Sequence, residues 1–396
     1  MTNKIKNLFT NKQILAVFLV LIISLIVLTS SISGGHEGKE SMRENNSKED
    51  SLKKKIGQMI ILGFDGTEIN DDSYITKVIK ELNIGGVILF DYFVESQGTP
   101  RNITGPEQTK KLISDLKSYS KTQMLIAIDA EGGYVNRLKE KYGFLPILSA
   151  QVMGEDATTK TTQAETEKIA SQLKDLGFNM NFGPVLDVNV NPENPVIGYL
   201  ERSFSANPSE VTNHAKAFIE EHNKKNIITV AKHFPGHGSS DADSHLGLTD
   251  VTNSYQEEEL IPYINLQNEG LLDVVMTAHI MNTNIDPEYP ATLSPNFLKK
   301  ILREDIGFEG VIVSDDMHMK AIADNYGFEE AVIRAVNAGC NLLILSNNGD
   351  VYDEELAYRT VDTIYKAIEE GKISIDDINK SYELIMNLKK KFDIVS

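Results

Sequence analysis

Ile228-Thr229-Val230-Ala231-Lys232-His233-Phe234-Pro235-Gly236-His237-Gly238 begins as a strand and ends as a loop. Its first four residues are uncharged and mostly β-branched or small, as in a strand buried on both faces. Lys232 and His233 then put two ionisable groups where the run ends. Pro235, Gly236 and Gly238 give the following loop a fixed, non-helical shape. The same arrangement recurs along the chain. Apolar runs at Met59–Phe64, Gly86–Phe90, Met124–Asp129, Met180–Asp187, Val274–Ile280, Val311–Asp315 and Leu342–Leu345 alternate with longer amphipathic stretches. Among those stretches are Asp71–Leu82, Thr162–Leu176, Ser209–Lys225 and Phe328–Ala338, several ending at Asn83, Gly177 or Gly339 as helix C-caps do. Eight such β-then-α units predict an α/β fold, a (β/α)8 TIM-like barrel. A doubly wound open sheet is the second reading; no Gly-x-Gly-x-x-Gly follows the first strand, which weakens it. Polar residues gather where the runs end: Asp91, Asp129 with Glu131, Asp187, Lys232-His233, His279 and Asp315-Asp316. Any single Asp there reads equally well as a helix N-cap. The pattern on six strands points instead to the C-terminal face of a barrel, where active sites lie.

The chain of 396 residues has a formal net charge of −18 and is 41% hydrophobic. That content allows a packed core, and the acidic balance argues against a phosphate-backbone partner. Cys340 is the only cysteine, so no intramolecular disulfide or cysteine-rich metal site is available. Tryptophan is absent, which leaves Tyr and Phe for stacking on sugars. Lys4, Lys6 and Lys12 precede Ile14–Ile32, an uncharged apolar run, and such a pair is an export signal or membrane anchor. Residues 1–33 are therefore expected to be a signal/anchor segment, 34–50 a polar linker, and 51–396 a single catalytic barrel. The lysines stay on the cytoplasmic side by the positive-inside rule. The remainder is expected outside: at the cell surface, tethered through the N-terminal segment, or secreted after its cleavage. A last apolar-periodic run to Phe392 predicts a packing helix with no chemistry in it.

Three of the eight histidines fall between His233 and His245. A metal site on His233, His237, His245 and Asp241 or Asp243 is one reading. Lys232 puts a positive charge where the cation would sit, and weakens it. In the other reading, Lys232 and His233 donate hydrogen bonds to an oxygen-rich ligand. Asp243 and His245 then form a carboxylate–imidazole pair suited to proton transfer near neutral pH. Val311-Ile312-Val313-Ser314-Asp315-Asp316-Met317 brings a carboxylate to the barrel mouth, where an ionised Asp beside a sugar C1 acts as a nucleophile. Capping of the following helix suits Asp316 better than Asp315.

Five motifs run through this part of the chain. They are Asp129-Ala130-Glu131-Gly132-Gly133 leading to Arg137; Asn181-Phe182-Gly183-Pro184-Val185-Leu186-Asp187; Arg202-Ser203-Phe204; the Lys232–Gly238 loop with Asp243-Ser244-His245; and Ser314-Asp315-Asp316-Met317. Together they resemble glycoside hydrolase family 3, in its single-domain β-N-acetylglucosaminidase form, from about Leu52 to Phe392. The resemblance implies Asp315 as nucleophile and His245 as general acid/base paired with Asp243. It implies Asp129, Arg137, Arg202, Lys232 and His233 as holders of the sugar hydroxyls. The implied activity is a retaining exo-β-N-acetylglucosaminidase on peptidoglycan fragments, with no cofactor and no metal. The partner is then a GlcNAc-containing glycan; nucleic acid is not one, and a membrane is met only through the N-terminal segment. A phosphorylase on the same site and a non-catalytic sugar-binding surface protein are the competing functions. Two departures stand out. Tyr134 follows Glu-Gly-Gly where relatives often carry Arg, and the stretch Ile197–Glu201 before Arg202 is longer than usual.

Overall fold

The computed structural model describes residues 47–93, 99–244, 247–349 and 352–396. The segment expected to be a signal or anchor, most of the expected linker, and His245 lie outside these residues. The chain divides into two compact units, Met1–Leu52 and Lys53–Ser396. Residues 47–50, read from the sequence as the end of the polar linker, are helical.

The second unit is built on β1 (Ile60–Gly63), β2 (Gly86–Ile88), β3 (Leu125–Ile128), β4 (Met180–Asn181), β5 (Ile228–Thr229 and Ala231–Phe234), β6 (Val274–Thr277), β7 (Val311–Asp316) and β8 (Leu342–Leu345). Each is parallel to its neighbours, in sequence order, and β8 returns to β1 with Leu343 opposite Ile60. The cylinder closes through β5. Ile228 and Thr229 pair with Met180 and Asn181 of β4, whereas Ala231 and Phe234 pair with Val275 and Thr277 of β6. Strands in a closed parallel sheet are covered on both faces. Ile60, Ile61 and Leu62 accordingly have no exposed surface, and neither do Leu342 and Leu343.

Helices follow the strands: α1 (Tyr74–Leu82), α2 (Pro106–Tyr119), α3 (Lys160–Leu176), α4 (Pro208–Asn223), α5 (Ile261–Asn268), the π-helical α6 (Asn296–Asp305), α7 (Phe328–Ala338) and α8 (Leu356–Glu369). The alternation expected from the sequence is thus a (β/α)8 barrel. Asn83 and Gly177 end α1 and α3 in the left-handed conformation, as C-caps do. Pro106 and Pro208 open α2 and α4, where a missing N–H costs nothing. The run 180–187 is not one strand. Pro184 has no N–H to give to a ladder, so pairing stops after Asn181 and resumes where Val185 bridges Lys232.

The final helix, α9 (Ile375–Lys391), reaches the end of the barrel where the strands begin. The Lys389 ammonium is buried there and donates to Gln58 Oε1 at 2.8 Å and to the Gly85 carbonyl at 2.9 Å. The opposite end, where the strands finish, carries the polar residues.

Candidate active site

The chain reverses after β3 in a hairpin of Ala130–Gly132 against Val135–Asn136. Gly133 turns it at φ 55°, where a Cβ would lie 2.5 Å from the Ser149 Cβ, so only glycine fits. Asn181, at the end of β4, anchors the hairpin by accepting from the Ala130 N–H and donating to its carbonyl, both at 3.0 Å. The hairpin's base presents Asp129, Glu131 and Arg137. Its tip presents Tyr134, 65% exposed.

Lys232, on the second half of β5, reaches across to this base. Its ammonium lies 2.9 Å from Asp129 Oδ1 and 2.6 Å from Glu131 Oε1. Glu131 also accepts a bidentate pair from Arg202, both bonds at 2.8 Å. Arg202 donates further to the Val196 carbonyl at 3.0 Å and to His233 Nε2 at 3.2 Å. Arginine only donates, so Nε2 accepts and His233 carries its proton on Nδ1. That nitrogen donates to Asp187 Oδ2 at 2.7 Å. The result is a continuous chain of alternating charge and hydrogen bonds: Asp129, Lys232, Glu131, Arg202, His233, Asp187. Arg137 extends it, 3.5 Å from Asp129, and Lys139 sits 2.7 Å from the buried Asp91.

Burial alone would raise these carboxyls. Around Glu131 the Arg202 and Lys232 charges outweigh it and bring the carboxyl down to about 2. Lys232 and Arg137 likewise hold Asp129 below the usual range. Both are therefore anions at neutral pH. The side chains of Lys232, Arg202 and Glu131 are enclosed, whereas Asp129 and Arg137 are 15% and 25% exposed. Arg202 uses four of its donor positions on protein, and both His233 nitrogens are engaged. The part of the network that reaches the surface is Asp129 and Arg137, with Lys232 and Glu131 enclosed beneath them. Arg202 and His233 stand behind it.

The loop after β5 is fixed by two buried carboxylates. Asp187 Oδ1 accepts from the His233 N–H at 3.2 Å and the His237 N–H at 2.8 Å. Glu259 Oε2 accepts from the N–H groups of Gly238 at 2.9 Å and Ser239 at 3.3 Å. A Cβ on Gly238 would lie 1.7 Å from the Val188 carbonyl oxygen, so the loop also needs glycine there. His237 is buried, which pushes its imidazole down to about 4, and it bonds Ser240 and Ser244 hydroxyls at 2.8 and 3.2 Å. Asp243, further along, is half-buried.

At the end of β7 the two neighbouring aspartates differ. Asp316 accepts from the Ser346 hydroxyl, from the Ser346 N–H at 2.9 Å and from the His318 N–H at 3.2 Å. It ties β7 to β8 and starts the next turn. Asp315, half-buried, accepts from the Asp316 N–H at 2.8 Å. His279 bonds the Asp316 carbonyl at 2.9 Å and Thr292 at 2.7 Å, and so serves as a brace.

The structure therefore joins Asp129, Arg137, Arg202, Lys232 and His233 in one network, and sets Asp315 on the same strand-end face. Asp243 lies on the loop that leaves β5. Sequence reasoning missed the weight of Glu131, Asp187 and Glu259. The first two stand inside quoted motifs, beside residues that were chosen. Glu259 is the last of three consecutive glutamates, and nothing in the sequence separates it from the other two. Among the described residues, no group of three or more His, Cys, Asp or Glu side chains is arranged to hold a metal ion.

The family model for the glycosyl hydrolase family 3 N terminal domain matches residues 51–388. A beta-hexosaminidase of Idiomarina loihiensis is 31% identical over 294 residues, covering 73% of this chain and 84% of that protein. A beta-hexosaminidase of Tolumonas auensis is 34% identical over 295 residues, covering 73% and 83%. A solved glycoside hydrolase family 3 beta-N-acetylglucosaminidase from Paenibacillus sp. aligns with a TM-score of 0.78 at 34% identity, over 87% of this chain. The chain spans 63% of that structure's length.

Proposed function

The chain belongs to glycosyl hydrolase family 3, and from that premise we propose that it is a retaining exo-β-N-acetylglucosaminidase. It removes terminal β-linked GlcNAc, and its natural substrates are peptidoglycan fragments. The observation that carries this reading is the buried Asp129–Lys232–Glu131–Arg202–His233 chain at the strand-end face that also carries Asp315. Paired carboxylates and cations with one face open suit the vicinal hydroxyls of a single sugar ring. The likeness to the two beta-hexosaminidases supports a hexosamine, and the likeness to the Paenibacillus beta-N-acetylglucosaminidase supports GlcNAc as that sugar.

In the mechanism, the Asp315 carboxylate attacks C1 and forms a glycosyl ester. His245 gives its proton to the departing glycosidic oxygen. The neutral imidazole then takes a proton from water, the hydroxide oxygen attacks C1, and the Asp315 carboxylate leaves. Two inversions give retention. Asp243 keeps the imidazole oriented and stabilises its charged form. What favours Asp315 over Asp316 as the nucleophile is that the Asp316 carboxylate is already bonded to Ser346 and His318. No metal enters either step. The apolar run Ile14–Ile32 supports a place outside the cytoplasm, with the barrel tethered or released.

The test compares aryl β-GlcNAc with aryl β-glucoside, with and without phosphate. Hydrolysis of the GlcNAc glycoside to free GlcNAc in both buffers, unaffected by a chelator, is expected. GlcNAc 1-phosphate formed only in phosphate makes the protein a phosphorylase. Binding without turnover makes it a sugar-binding surface protein.

A further inference from the structure

Glu259 lies in the short 3-10 turn Glu257–Leu260 that leads into α5, outside every motif used above. Its side chain has no exposed surface. One oxygen accepts from the backbone of Gly238 and Ser239, and the other from the Gln256 N–H at 3.3 Å. Among the described residues it forms no ion pair. A Cβ on Gly236 would fall 2.6 Å from the Glu259 Cβ, so the two elements are in direct apposition. The carbonyl side of the same loop is held separately. Asn194 donates to the His237 carbonyl at 2.7 Å, and Asn191 donates to the Ser240 carbonyl at 2.9 Å. The loop leaving β5 is thus a backbone suspended between side chains, and Glu259 joins its root to the turn that opens α5.

We propose that Glu259 is a positioning residue for proton transfer: its carboxylate fixes the loop root at Gly238–Ser239, and thereby the reach of Asp243 and the acid/base residue beyond it. This rests on the assignment of Asp243 and His245 made above. The anion accepts all three N–H groups at once. A protonated carboxyl turns one oxygen into a donor, and a backbone N–H then loses its partner. Burial raises this carboxyl to about 7 against the hydrogen bonds from Ser239, Gln256 and Gly238, and the Asp187 charge adds to the rise. The other groups facing it are Tyr255 and Tyr263, with Glu257 on its own turn. His233, His237 and Arg202 lie behind Asp187. The clamp therefore holds above neutrality and loosens below it.

Two measurements test this. First, E259Q is compared with the unaltered protein on a GlcNAc disaccharide, a poor leaving group, and on dinitrophenyl β-GlcNAc, a good one. Proton donation matters for the first and little for the second. The disaccharide kcat should fall about tenfold, a fraction of the full general-acid contribution, with the dinitrophenyl rate nearly unchanged. The unaltered protein should also show a disaccharide rate rising between pH 6 and 8 that E259Q lacks. Equal losses on both substrates, or an unchanged pH profile, overturn the proposal. Second, hydrogen exchange of residues 237–240 is followed from pH 6 to 8, corrected for intrinsic rates. Protection should increase with pH in the unaltered protein; a flat response overturns the proposal even if E259Q does not fold. If neither substrate is turned over by the unaltered protein, the assigned activity fails while the exchange measurement still judges Glu259.

Discussion

Two adjacent carboxylates at the end of β7 have different surroundings. Asp316 is bonded into β8 through Ser346; Asp315 stands one residue nearer the middle of the strand, and its Oδ1 accepts from the Asp316 N–H. Asp315→Asn should abolish turnover whatever the leaving group, and a slow fluorinated glycoside should label the peptide at Asp315. A label on Asp316 or Asp187 would sink the assignment. His245→Ala should slow a disaccharide far more than an activated aryl glycoside, since only the former needs a proton. Glu259 makes a prediction of opposite sign for stability. Its folded pKa of about 7 lies above the ordinary 4.5, so the folded state binds the proton more tightly. Stability from this group is greatest below pH 4.5 and declines as pH rises to 7. Glu259→Gln should therefore gain up to about 3 kcal/mol relative to the unaltered protein between pH 5 and pH 8. Parallel urea-unfolding curves at the two pH values would contradict it.

Among the elements, the strands were the most legible in the sequence. Each of the eight apolar runs contains a strand, because strands of a closed parallel sheet are covered on both faces and read as unbroken apolar stretches. Their lengths were less legible: the run 180–187 holds only the two-residue β4, since hydrophobicity does not register the missing N–H of Pro184. The ionisable residues at the strand ends were visible too, but their partners were not. Glu131 and Arg202 are 71 residues apart, and His233 and Asp187 are 46 apart. The side-by-side pairing of β3 with β4 and of β4 with β5 brings such pairs together. The last helix gives an element-scale test. Burial lowers the Lys389 amine to about 7, so between pH 7 and its ordinary value of 10.5 the unfolded chain binds a proton that the folded chain does not. Stability must rise with pH over that window. Relative to Lys389→Met, the unaltered protein should gain up to about 1.4 kcal/mol per pH unit between pH 7 and 9. Denaturant midpoints that move together in both proteins would remove Lys389 as the cause.

At the scale of the whole molecule, one closed sheet separates an end that holds the chain together from an end that carries charge networks. α9 with Lys389 lies at the first and the Asp129–Asp187 chain at the second. The barrel closes within the unit Lys53–Ser396. A chain shortened to begin at Ser51 is expected to be soluble without detergent and to keep its kcat. Loss of activity on shortening, with the full chain active, would show that the earlier residues take part in the fold. The hairpin that follows β3 has a further use in this molecule. Its base is locked to Lys232 and Arg202 through Glu131, while its tip, Tyr134, stands in solvent. The chain has no tryptophan. Tyr134→Trp would therefore install a single indole at the rim of the site, and its emission could be selectively excited over the tyrosine background. Titration with N-acetylglucosamine should shift that emission to a saturating limit, giving a ligand affinity from one cuvette, with no turnover and no label. An unmoved spectrum, with binding confirmed by calorimetry, would mean that the hairpin tip is optically blind to the sugar.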